Sequence, residues 1–195
     1  MDWRRILVAA GCAALAVAAG CAGRPPAEAE GRNVRRPAMG FALDVPDGWT
    51  WRDLDGDVVL EIFRQETAAK PPAPGPAAAT DAPPAERRAR PVVHVVVIDR
   101  AGITPDTWAD EAVASSRELQ SDLEVTGREK ATLADGREAL ALTLKNPRGL
   151  EPVVQRMLLA VTERRAYALL ATAPETDMAA VGPQIETCFK TFVVW

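Results

Sequence analysis

The chain has 195 residues and a formal net charge of -4, from 23 Lys and Arg against 27 Asp and Glu. That mildly acidic balance argues against a nucleic-acid binder, whose affinity rests on a basic face. The single histidine, His94, has no second His and no spare Cys pair to complete a zinc site.

Arg4 and Arg5 form a short basic start, partly offset by Asp2. From Ile6 to Ala19 the chain is apolar, shorter than the roughly 20 residues needed to cross a bilayer. Ala18, Ala19 and Gly20 then precede Cys21. Charge, short apolar run, small residues and a thiol are the pattern of a bacterial lipoprotein signal. Residues 1–20 are read as a signal peptide and Cys21 as the lipidation site, so the membrane is met through an N-terminal lipid. Gly11-Cys12 is a second small-Cys pair, but it comes too early in the apolar run. Ala16-Val17-Ala18 also fits ordinary secretory cleavage, which would release a soluble protein; this alternative ranks second. In lipoproteins of Gram-negative cells, Asp after the cysteine favours the inner membrane. Ala22 therefore points to the periplasmic face of the outer membrane in the cell envelope.

Residues 21–38 turn to Pro, Ala, Gly, Arg and Glu and read as a flexible tether, with a coil span of about 23 Å. Arg32, Arg35 and Arg36 are taken as part of this solvated linker, ahead of a contact with lipid headgroups. The remaining stretch, 39–195, is long enough for one domain with its own core.

Phe41, Leu43 and Val45 alternate before Pro46-Asp47-Gly48, and Trp49 and Trp51 follow. This predicts two short strands joined as a hairpin. Asp55-Gly56 is the next turn, and Val58 to Arg64 a third strand. Residues 65–90 hold six prolines among alanines and read as a disordered loop within the domain, since long excursions add little closure entropy. A proline-rich docking segment is the second reading of that stretch.

Pro91 to Asp99 is almost wholly β-branched and predicts a strand covered on both faces. Thr104 and Pro105 open a helix whose inner face is Trp108, Ala112, Ser115, Leu119 and Leu123. Strands follow over 125–133 and 137–145 around Asp135-Gly136, and over 153–162 and 166–173 around residues 163–165. Asn146-Pro147-Arg148-Gly149 turns between the pairs. A C-terminal helix, with its regular part starting near Pro183, turns Val181, Ile185, Cys188, Phe189 and Phe192 inward. Hairpins, a helix, more hairpins and a helix make an α+β architecture: an antiparallel β-sheet flanked by two helices.

Four stretches carry a family resemblance. Phe41-Ala42-Leu43-Asp44-Val45-Pro46-Asp47-Gly48-Trp49 resembles the opening strand and turn of the PsbP-like fold. Asp135 to Ala139, Arg165 to Leu170, and Cys188-Phe189-Lys190-Thr191-Phe192 resemble later parts of it. That fold takes in the PsbP proteins of photosystem II, a Ran-binding nucleotide-release factor and bacterial lipoproteins, DcrB-like ones among them. The resemblance implies an α/β sandwich and a non-catalytic binding or assembly role with a protein partner. No metal ligand of the photosynthetic members and no Ran-contacting surface maps onto residues here.

No catalytic, cofactor or metal site is expected. His94 lies among valines with no evident nucleophile or carboxylate partner, so it reads as structural. Asp53, Asp55 and Asp57 gather near Gly56, but Gly and Glu do not fall where a calcium loop needs them. Ser115, Ser116 and Ser121, the only serines, sit in no nucleophile elbow. Cys188, without a partner, reads as a small buried apolar residue. The expected function is a lipid-anchored, non-enzymatic scaffold or assembly factor with an envelope protein partner. A small-ligand or lipid-binding module comes second, and a hydrolase third.

Overall fold

The computed structural model describes residues 32–64, 90–147 and 151–195. The signal peptide, Cys21, most of the tether, the Pro/Ala loop and the second half of the 146–149 turn lie outside the described residues.

Ten strands and two α-helices are described, in the order β1 (Asn33–Arg36), β2 (Phe41–Asp44), β3 (Trp49–Asp53), β4 (Val58–Arg64), β5 (Val92–Asp99), α1 (Pro105–Leu119), β6 (Glu124–Thr132), β7 (Glu138–Asn146), β8 (Val153–Val161), β9 (Arg165–Pro174), α2 (Glu175–Thr191) and β10 (Val193–Val194). Seven strands form one sheet, ordered β3-β4-β5-β9-β8-β7-β6, and three form a second, ordered β1-β2-β10. Every pairing is antiparallel.

The large sheet is covered on both faces, which is why β5 and β9 are apolar without alternation. Val93, Val95, Tyr167, Leu169 and Ala171 face a core shared with α2 and the small sheet. Val96, Ile98, Ala168 and Leu170 face a second core under α1. Because side chains alternate along a strand, each apolar run feeds both layers. The result is the expected α+β sandwich, with α1 over β7 and β8 and α2 over β2, β8 and β9.

The helix starts follow local chemistry. Thr104 caps α1 by accepting from the Thr107 N–H at 3.2 Å, with Pro105 in the first turn. Trp108, Ala109, Ala112 and Ser116 are its buried face. Leu119, expected inside, is 40% exposed; it is the last residue of the helix. Ser115 is only half-buried, and Ser116 takes the inner position, its hydroxyl donating to the Ala112 carbonyl at 2.7 Å.

Three further expectations are corrected. Strands β2 and β3 do not form a hairpin. Pro46 and Gly48 make a corner, with the Trp49 N–H on the Pro46 carbonyl at 3.1 Å, that carries the chain from the small sheet to the large one. The folded unit also reaches back into the stretch read as tether: β1 lies within it, because Val34 is buried against the core. Third, α2 starts at Glu175, directly after β9, and holds Pro183 inside it. The carbonyl deprived of a donor by that proline belongs to Ala179, an exposed residue that water can serve.

The small sheet closes over an aromatic cluster. Phe41 and Phe192 are wholly buried with ring centroids 6.2 Å apart, and the Tyr167 ring lies edge-on to Phe192 at 6.4 Å. Beneath them Gly40, at φ 74°, leaves no room: an added Cβ would sit 2.6 Å from the Trp195 carbonyl oxygen and 2.8 Å from the Tyr167 hydroxyl. Replacing Phe192 by Ala is expected to cost about 3–5 kcal/mol, read as a fall in the urea unfolding midpoint. Gly40→Ala should also destabilise, through both strain and overlap. A midpoint unchanged in either variant contradicts this packing.

Candidate functional site

The most unusual chemistry lies on the α1 face of the large sheet, near its β3 edge. Arg52 stands opposite Glu61, and Glu61 opposite His94, on three neighbouring strands. His94 and Glu61 are buried, 3% and 7% exposed. The His94 Nε2 lies 3.5 Å from Glu61 Oε1, while Arg52 Nε donates to Glu61 Oε2. Burial by itself pushes the Glu61 carboxyl up. The hydrogen bonds and charges of His94 and Arg52 outweigh it and hold the group below its ordinary value. Further along the same face, Thr172 stands opposite Gln155, both buried. Three side-chain atoms here have no hydrogen-bond partner among the described residues: His94 Nδ1, Gln155 Oε1 and Thr172 Oγ1.

His94 is therefore buried in a strand as expected, but it has a carboxylate neighbour that the sequence reading missed. Glu61 interrupts an apolar strand, Val58-Val59-Leu60-Glu61-Ile62, and that interruption was the available signal. What it faces depended on the register of β4 against β5, across residues 65–90. A His–Glu pair can move a proton only for a group that reaches it. Neither the groove beside Arg32 and Pro183 nor the small cleft between Ser116 and Gln155 has either side chain in its wall. The row reads as a buried electrostatic tie between the β3–β4 hairpin and the sheet centre.

The other candidates disperse. Asp53 ends β3 and accepts from Arg36 at 2.5 and 3.1 Å, while Asp55 and Asp57 stay in the β3–β4 turn. Among the described residues no three His, Cys, Asp or Glu side chains converge to hold a metal ion. Cys188 is fully buried; burial, aided by the Asp44 charge, pushes its thiol up to about 12, so it is unreactive at neutral pH. Neither described helix is long and apolar enough to cross a membrane.

The surface around β1 differs. The three arginines assigned to the tether are ordered parts of the fold and have separate roles. Arg32 pairs with Asp47. Arg36 stacks on Trp51, 4.8 Å from the ring centroid, and bonds Asp53, closing the seam between the small sheet and β3. Arg35 stacks on Trp195 at 5.4 Å, and Trp195 is 48% exposed. Alternation puts Asn33, Arg35, Ala42, Asp44 and Val193 on the outer face of the small sheet, beside Trp195. At one end of β1 an open groove of about 640 Å³ runs between Arg32, Asp47, Pro183 and Gln184. Its polar groups are satisfied internally: the Asn33 amide donates to Asp44 at 2.8 Å and the Trp49 indole to Gln184 at 3.0 Å.

Neither a family model nor a curated protein sequence matches the chain. Solved structures do. Cyanobacterial PsbP (CyanoP) from Synechocystis superposes with a TM-score of 0.60 at 12% identity, over 91% of this chain and 98% of that one. The Ran-binding protein Mog1p of Saccharomyces cerevisiae gives 0.54 at 10% identity, over 83% of this chain and 94% of that one. LpqN of Mycobacterium tuberculosis, involved in cell envelope biogenesis, gives 0.52 at 15%, over 89% of this chain and 87% of that one. These likenesses show the fold: the domain is a PsbP-like α+β sandwich.

The Glu61 geometry fixes a pH dependence. A carboxyl held below its unfolded value adds stability above that value, and the contribution is lost as pH falls through the folded one. In urea titrations across the acid range, Glu61→Gln should be less stable than the parent at pH 7 and lose less on acidification. Parallel acid curves for the two proteins would contradict the tie. In the native state Cys188 should resist a thiol reagent that labels it fully once unfolded.

Proposed function

We propose that this chain is a lipid-anchored protein of the cell envelope that works without catalysis, docking a protein partner through the outer face of its small sheet. The anchor is an acylated Cys21, and Ala22, standing where Asp would favour the inner membrane, supports the periplasmic side of the outer membrane. The observation that carries the docking surface is the Arg35–Trp195 pair. Trp and Arg are the residues most often found at the energetic centres of interfaces. Here they lie together and exposed, on and beside the strand that the tether feeds. The fold is one that a Ran-binding protein and an envelope-biogenesis protein also use, which supports a binding role. The burial of the His94–Glu61 pair supports a role without catalysis.

The alternative of a small-ligand or lipid-binding module has one observation in its favour, the groove beside Arg32 and Pro183. Its paired polar lining offers a ligand few free groups. A ligand that co-purifies and is seen by native mass spectrometry would turn the balance toward it.

Cys21→Ser should abolish incorporation of labelled fatty acid and move the protein from the membrane pellet to the soluble fraction. Sedimentation with the membrane, unchanged, would overturn the anchor. Trp195→Ala keeps the backbone bond from residue 195 to the Gly40 carbonyl and should leave the unfolding midpoint near that of the parent. Recovery of a specific partner from solubilised membranes should nonetheless fall at least tenfold; equal recovery would rule out this face.

A further inference from the structure

A sheet edge is a row of backbone donors and acceptors, and folded proteins guard such rows. The described residues contain four edges. On β6 the register slips between Val125 and Gly127, and Arg128, Glu129 and Lys130 put charge along it. Strand β10 has two residues. Beside β3 lies Arg36, stacked on Trp51 and bonded to Asp53. Strand β1 has no slip: four consecutive residues pair with β2, no described strand lies on its other side, and only its last residue, Arg36, reaches across to β3.

The bonding pattern shows which groups face outward. The Val45 N–H donates to the Arg32 carbonyl at 2.6 Å, and the Gly40 N–H to the Arg36 carbonyl at 2.9 Å. Successive residues of an antiparallel strand turn their backbone groups to opposite sides. Residues 32, 34 and 36 therefore face β2, and Asn33 and Arg35 face away. The Arg35 carbonyl already accepts from Arg36 Nη1 at 3.2 Å. The Asn33 N–H, the Asn33 carbonyl and the Arg35 N–H point outward.

We propose that β1 receives an extended segment of a protein partner as an added antiparallel or parallel strand, held by these three backbone groups, with an acidic side chain of the partner against Arg35. Charge decides the last point. Arg32 and Arg36 are neutralised by Asp47 and Asp53, whereas Arg35 is exposed and, among the described residues, meets the Trp195 ring and no carboxylate within ion-pair reach. Strand addition draws its affinity from main-chain bonds and its choice of partner from alternate side chains. A four-residue edge binds weakly alone. Confinement to one membrane raises the effective concentration of two tethered partners and makes a weak edge sufficient. This inference rests on the docking reading above and adds its mode.

The test is photo-crosslinking in native membranes of the full chain, with a photoreactive residue at position 33 and, as control, at position 129 on β6. Arg35→Pro deletes an outward N–H and no bond to β2, and proline is tolerated on an edge strand. Arg35→Ala keeps the N–H and removes the charge. An adduct from position 33 is expected, reduced at least tenfold by Arg35→Pro and only partly by Arg35→Ala. Unfolding midpoints verify that each variant folds; should Arg35→Pro fail to fold, Arg35→Gly and Arg35→Glu, with the adduct partly reduced in the first and lost in the second, carry the same comparison for the side chain. No adduct from position 33, an adduct from 129 alone, or a full adduct from folded Arg35→Pro overturns the added strand. Loss with Trp195→Ala but not with Arg35→Pro overturns it too, and leaves the docking face standing.

Discussion

Strand β2 holds both ends of the described chain, and the rest of the domain depends on that closure. On one side it takes β1, on the other β10, so the first and last strands of the described fold meet on a single short segment. Phe41 and Leu43 turn inward from it and meet Phe192 and the α2 face. The tightness at Gly40 is a consequence: the Trp195 backbone bonds the Gly40 carbonyl while the Tyr167 hydroxyl, on the large sheet, donates to the Met39 carbonyl at 3.1 Å. Two sheets and one chain end are thereby held within a few ångströms of one another. Without that zipper the aromatic cluster would be open to water and α2 would cover a sheet with no lid beside it.

The buried Arg52–Glu61–His94 row is a different kind of constraint. Burying a carboxylate costs several kcal/mol unless it is paired and bonded, and Glu61 is both. The arrangement is only partly satisfied, since His94 Nδ1 lacks a partner. Such a row adds little net stability compared with a well-packed apolar one. It does oppose any slip of β4 against β5: a one-residue slip would take Glu61 off His94. That matters here because β4 and β5 are joined through residues 65–90 and not through a tight turn that could set the register. The polar row supplies at the strands the information that the connection does not.

Function in this reading is a matter of placement. The His94–Glu61 pair is buried, and the proposed role draws on the surface. The side chains most suited to an interface cluster around β1, the strand nearest in sequence to Cys21. From Cys21 to Arg32 the chain can span at most about 40 Å. An acylated Cys21 would keep this edge close to the bilayer and to whatever else is anchored there. Anchor and docking surface then form one device, with the tether limiting where the edge can search.

By itself the sequence determined the elements whose signals are local. The turns at Asp55-Gly56 and Asp135-Gly136, the cap at Thr104-Pro105, the doubly covered strand β5, and the inward set Val181, Ile185, Cys188 and Phe189 could all be read from residue type and spacing. So could the fold class, because hairpin-joined strands with two long helices admit few arrangements. Tertiary structure alone decided what depends on partners far along the chain. It assigned β2 to β1 and β10 instead of β3, drew Asn33–Arg36 into a sheet, placed Glu61 beside His94, and divided three similar arginines among an ion pair, a seam and an exposed stack. The physical reason is the same in each case: strand pairing and side-chain neighbours across a sheet are non-local, set by how two layers bury their apolar faces together, and no window of sequence contains both partners.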